Sequence, residues 1–161
     1  LNELEDKIPQ QKMSTLAFAT FMREQNFTVP SEDTLDPGLF LIYEVMASAL
    51  GNPLLLCIIT RHIAERSGTD MTLVLHKGRH CLIDGQRNFI DPLNGWAVSS
   101  LKEETKVYPC SNRDILLTVI SQLYLSALVE GQLRIISQLS QMMAALSDSN
   151  VQSFPYPVGS N

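Results

Sequence analysis

Met13, Leu16, Ala17, Phe21 and Met22 recur three and four residues apart with polar residues between them. That spacing predicts an amphipathic helix over residues 10–25. Residues 26–33 contain Pro30 and Ser31 and read as a loop. Asp36-Pro37 then supplies a capping carboxylate followed by proline at the first helical position, a strong start signal. The helix it opens is predicted to run to about residue 50. Its apolar residues Leu39, Phe40, Ile42, Val45, Met46 and Ala49 cover most of its circumference, which predicts burial. Asn52-Pro53 repeats the start signal, and a third helix follows through Leu54, Leu55, Ile58, Ile59, Ile63 and Ala64 to Gly68. It is apolar for most of its length and is the predicted central core helix.

The period then shortens. Residues 71–76, 79–84 and 88–91 are short runs rich in Leu, Val, Ile and Phe, separated by Lys77-Gly78 and by Asp84-Gly85. They predict antiparallel strands joined by tight turns. Residues 91–95 form a turn, and one more strand is expected around residues 106–108. After Ser111 the helical period returns, first through Ile115, Leu116, Val119, Ile120, Leu123, Tyr124 and Leu128. Glu130-Gly131 interrupts it, and Leu133, Ile136, Leu139, Met142, Met143 and Leu146 carry a second helix. Two helices joined by a turn over roughly 36 residues resemble one tetratricopeptide-type unit. The tail, which contains Phe154-Pro155-Tyr156-Pro157, shows no period.

These elements predict an α+β fold. N-terminal helices and a central core helix pack on a small antiparallel sheet, and a C-terminal helical hairpin follows. The expected organisation is a core over residues 1–110, a hairpin over 111–147 packed on that core, and a tail over 148–161. The length of 161 residues fits one domain with a small appendage. A hydrophobic fraction of 45% supplies enough apolar material for a core. The longest uninterrupted apolar run, from Leu54 to Ile59, falls far short of the roughly 20 residues of a spanning helix, so no membrane segment is expected. No signal-peptide pattern is read at the start. Net charge is −5 with scattered basic residues, which argues against nucleic-acid binding. Cys57, Cys81 and Cys110 are odd in number and widely spaced, without a C-x-x-C pair. That points away from a disulfide framework and toward a reducing cytoplasm.

The chemistry concentrates in "HKGRHCLIDGQRNFIDPLNG", residues 76–95, where His80 adjoins Cys81 and Asp91 follows on the next strand. A cysteine at the start of a core helix, a histidine on a neighbouring strand and a carboxylate that orients the histidine make a thiol nucleophile. "GNPLLLCIITRHIAERSG", followed by "HKGRHCLID" and "FIDPLNG", resembles the transglutaminase-like core of the bacterial SirB family. In that family a Gly-x-Pro helix start precedes a Gly-His motif and an Asp-Pro-x-Asn-Gly turn. The resemblance covers roughly residues 36–95, and the helical pair resembles the repeat-like helices that follow the family's core. The chain departs from the pattern at Arg79, where the family places glycine before the histidine.

The resemblance implies His80 as base and Asp91 as its orienting partner, hydrogen-bonded to it. It places the nucleophile at Pro53 or Leu54, and neither side chain can attack. Cys57 lies about 6 Å further along the helix axis, beyond the first turn where the helix dipole acts, among leucines and isoleucines that favour a packing role. Cys81 neighbours His80 on one strand and so faces away from it. Cys110 lies outside the resembling core. Three readings follow. The first is a non-catalytic domain that binds a protein or peptide partner, without a cofactor. The second is a cysteine hydrolase or acyltransferase using Cys57, His80 and Asp91. The third is a metal-dependent activity at His76, His80 and Asp91. Turn chemistry alone accounts for Asp91 to Gly95, and Trp96 is expected to pack over that turn. A homodimer through the C-terminal helices is a further expectation. The first reading is the one the missing helix-start thiol favours.

Overall fold

A computed structural model describes residues 13–31 and 35–147. The expected tail over 148–161 and the first residues of the N-terminal helical pattern lie outside them. The fold is α+β, as the periodicity predicts, and the chain divides into two compact units, Leu1–Ser111 and Asn112–Asn161.

In the first unit, helix α1 (Thr15–Glu24) is capped by Ser14, whose side chain accepts from the Ala17 amide, and it buries Phe18, Ala19, Phe21 and Met22. Helix α2 (Ile42–Ser48) and helix α3 (Pro53–Arg66) follow. The single buried helix expected over residues 36–50 is instead two pieces. Asp36 accepts from the Gly38 amide and starts a 3-10 turn, Pro37–Phe40, and Leu41 is extended before α2 begins. Gly38 has poor helical propensity, and the 3-10 turn ends in the bond from the Leu41 amide to the Gly38 carbonyl. Expected burial fails too, since only Val45 of α2 is buried, while Ile42 and Tyr43 are exposed.

Helix α3 behaves as the central core helix. Asn52 caps it through the Leu54 amide at 2.9 Å, Pro53 opens it, and eight of its residues are buried. Its entry is tight. A Cβ on Gly51 would sit 2.8 Å from Val45 Cγ1 and 2.9 Å from Leu56 Cδ2, and both neighbours are fully buried. Gly51→Ala is therefore expected to cost about 1–3 kcal/mol by overpacking. Urea unfolding checks this as a lower midpoint with an unchanged slope.

The sheet has five strands in the order β4-β3-β2-β1-β5, all neighbours antiparallel. They are β1 (Met71–His76), β2 (Arg79–Asp84), β3 (Asn88–Asp91), β4 (Ala97–Ser100) and β5 (Tyr108–Pro109). β5 lies slightly later than the pattern predicts and is an edge strand, the place where a strand proline is tolerated. β4 has no periodic signature, because Ala-Val-Ser-Ser offers too few apolar residues. Alternation along the strands sets two faces. Met71, Leu73, Leu82 and Ile90 share one face and are fully buried where α1 and α3 pack. Val74, His76, Arg79, Cys81, Phe89 and Asp91 share the other.

In the second unit, helix α4 (Asn112–Val129) and helix α5 (Leu133–Leu146) form the expected hairpin. Ile120, Ala127 and Leu139 are its buried centre, with Leu123, Tyr124, Ile136 and Met143 packed around them. Gly131 turns the chain at φ 70°, and the Gln132 amide bonds back to the Ala127 carbonyl, which closes α4 with a glycine-based cap. Among the described residues no helix is long and apolar enough to cross a membrane.

Candidate functional site

The entrance of α3 is where a thiol would gain most from the helix dipole. Its first turn reads Pro53, Leu54, Leu55, Leu56 and holds no sulfur or hydroxyl. Cys57 comes next. It is 0% exposed, and its thiol donates to the backbone carbonyl of His80 at 3.6 Å, not to the ring. Burial pushes its pKa well above the ordinary thiol range, and the nearby Asp91 carboxylate adds to the rise. At neutral pH it is a protonated packing residue.

The strand register decides the rest. Leu82 pairs with Ile90 and Ile83 with Phe89. Continued by one residue, this sets Cys81 opposite Asp91 and leaves His80 facing the other way. The expected hydrogen bond between His80 and Asp91 is accordingly not formed. Asp91 is buried, and its two carboxylate oxygens are committed elsewhere. Oδ1 accepts from the Leu93 amide at 3.0 Å, and Oδ2 accepts from Arg79 Nη1 at 3.3 Å. The His80 ring makes no hydrogen bond to a described residue. It is half-buried, and burial lowers its pKa from the ordinary value, so it is neutral at pH 7.

Cys81 is buried on the Asp91 face. Burial raises its pKa to about 12, Asp91 adds to the rise, and Arg79 opposes it. Cys110 is half-buried, and its amide bonds to the Leu73 carbonyl at 2.9 Å. None of the three cysteines forms a disulfide with a described residue. His62 lies on the exposed side of α3 near its polar end. His76 is brought beside Phe89, edge to face with ring centroids 5.7 Å apart. The three residues considered for a metal are not gathered, since His76 and Asp91 share one face of the sheet and His80 the other. Among the described residues no group of three or more His, Cys, Asp or Glu side chains is placed to hold a metal ion.

The Asp91-Pro92-Leu93-Asn94-Gly95 element is a capped 3-10 turn (Pro92–Asn94) closed by the bond from the Trp96 amide to the Asp91 carbonyl. Trp96 does not lie on the surface. It is 2% exposed, and its Nε1 donates to the Phe27 carbonyl at 2.6 Å. The residue that sequence reasoning missed is Arg79, noticed only as a departure from glycine. Counting strand parity from the hairpin at Lys77-Gly78 would have placed it on the face of His76 and Cys81; the β2–β3 register then brings Asp91 to that face, where an arginine competes for the carboxylate.

The site thus contains a buried protonated thiol, a neutral imidazole with neither thiol nor carboxylate on it, and a carboxylate held by an arginine. Such a set can bind and orient groups. No curated protein and no solved structure matches the chain. The family described as the transglutaminase-like superfamily matches residues 2–108, about two thirds of the sequence. Together with the capped core helix delivered onto an antiparallel sheet, that match means the chain belongs to the transglutaminase-like superfamily.

Proposed function

We propose that this chain is a non-catalytic, SirB-type member of the superfamily that works in the bacterial cytoplasm as a binding or regulatory module for a protein or peptide partner. One observation carries the reading. The helix entrance that would activate a thiol is occupied by Pro53, and the nearest sulfur, on Cys57, is fully buried and protonated. One fold hosts many functions, so the sheet face and its grooves can serve recognition where no activated nucleophile stands on them. The α4–α5 hairpin, with its likeness to one tetratricopeptide-type unit, supplies a second surface, through which the chain pairs with another copy or with its partner.

The test is thiol reactivity in the folded state. Iodoacetamide at pH 7 is expected to leave Cys57 and Cys81 unmodified for as long as the fold persists, with both labelled once guanidinium unfolds the chain. Peptide mapping by mass spectrometry identifies the modified residue. Rapid labelling of Cys57 at neutral pH, lost in a His80→Ala variant, would refute the reading and install a cysteine hydrolase in its place.

A further inference from the structure

The sheet face turned away from α1 and α3 carries a cavity of about 360 Å³, lined by His76, Lys77, Arg79, Cys81, Phe89 and Asp91. That volume lies at the small end of the range for ligand sites, enough for one terminal group. The lining is asymmetric in charge. Lys77 and Arg79 bring two cations against one carboxylate, and that carboxylate already accepts from Arg79 and the Leu93 amide. The Phe89 ring and the buried Cys81 thiol provide an apolar wall. His76 Nδ1 is buried and has no hydrogen-bond partner among the described residues. Buried polar atoms are ordinarily partnered, so this nitrogen, in the tautomer that carries its proton, is a donor left over for an incoming acceptor.

The turn gives an independent reason. Lys77 and Gly78 sit at φ 49° and 76°, the two-residue hairpin geometry that favours Asn-Gly. Lysine at the first position is conformationally poor. What it supplies, and asparagine would not, is a positive charge beside the cavity. Strain retained at one position is a pointer to function there.

We infer that this cavity binds a carboxylate carrying a short apolar group, the chemistry shared by a peptide C-terminus with an aliphatic last residue and by a free small carboxylic acid. Lys77 and Arg79 receive the carboxylate, His76 donates to it, and Phe89 contacts the apolar part. The inference deepens the binding reading above and rests on it.

The full chain, isotopically labelled, is titrated with three probes and followed by NMR. They are a degenerate mixture of acetylated tripeptides ending in a free aliphatic residue, the same mixture amidated at the C-terminus, and 3-methylbutanoate. The free-acid peptides are expected to shift the resonances of His76, Lys77 and Phe89, and amidation to weaken the effect at least tenfold. Shifts at these residues with 3-methylbutanoate and not with the peptides keep the carboxylate site and assign it to a free acid. Equal shifts from acid and amide, or no shift at the cavity with any probe, overturn the inference. Peptide shifts confined to other parts of the chain overturn it while leaving the binding reading intact, whereas no shift anywhere in the chain counts against both. Lys77→Asn is expected to hold or raise Tm while weakening free-acid binding at least tenfold. Undiminished binding in that variant removes lysine from the site and overturns the assignment.

Discussion

Trp96→Ala is expected to lower the stability of the first unit by about 3–5 kcal/mol, the usual cost of emptying a large buried aromatic site. Whole domains are stable by only about 5–15 kcal/mol, so this one change removes a large part of the margin. Two effects combine. The indole is 2% exposed, so its removal leaves a void among packed side chains. Its Nε1 also supplies the donor to the Phe27 carbonyl, and Trp96 thereby ties the turn after β3 to the segment after α1. Trp96→Phe separates the two. It keeps much of the apolar volume and orphans the carbonyl, which costs about 1–3 kcal/mol. Urea unfolding of the three proteins should therefore rank wild type above Phe above Ala. An alanine variant within about 0.5 kcal/mol of wild type, as expected for a surface change, would show that the indole is not a structural anchor.

Asp84→Ala is expected to cost about 2–4 kcal/mol, because it strips four donors of one charged acceptor. The carboxylate accepts from the Gln86 amide at 2.8 Å, the Asn88 amide at 2.9 Å, Asn88 Nδ2 at 3.0 Å and the Thr15 hydroxyl. The first three bonds shape the turn between β2 and β3, and the last pins the start of α1 to the sheet. Burial alone would raise the Asp84 pKa, but the bonds from Thr15, Asn88 and Gln86 outweigh it and hold the pKa below the ordinary value. The sign of the pH effect follows. A carboxyl held lower in the folded than in the unfolded chain adds stability that is fully present above the unfolded value, about 3.9. That stability is lost as pH falls through the folded pKa. The gap in urea midpoint between wild type and Asp84→Asn should accordingly be constant from pH 7 to about pH 5 and shrink below about pH 4. A gap independent of pH down to pH 2.5 would contradict the role assigned to this charge.

How far the sequence reveals this protein depends on the kind of signal. Helix starts built on Asp-Pro and Asn-Pro are local chemistry: Asn52 caps α3 as predicted, whereas Asp36 caps only the 3-10 turn Pro37–Phe40 and not the longer helix expected there. The strands from β1 to β3 are also legible, because Leu, Val, Ile and Phe alternate and the turn residues between them are distinctive. Two failures have one origin in tertiary context. The second helical pattern looks buried all round, yet only Val45 of α2 is buried, and the pattern is interrupted at Leu41, which is extended. β4 carries almost no pattern and exists because β3 offers it a ladder. At the site, residue identity is legible and residue facing is not. His80, Cys81 and Asp91 are conspicuous in the sequence, but whether two of them meet depends on a pairing register that no single strand contains.

That register has a consequence for anyone who would give this scaffold an enzyme's abilities. Installing cysteine at position 53 or 54 changes the cast without changing the stage, since the imidazole and its orienting carboxylate would still stand on opposite sides of a pleated wall. The minimal repair is an odd-numbered insertion, such as a one-residue bulge in β3, that turns Asp91 through the sheet toward the imidazole. Evolutionary loss of such a bulge would silence a hydrolase as thoroughly as loss of its sulfur, and sequence comparison that tracks only residue types would overlook it.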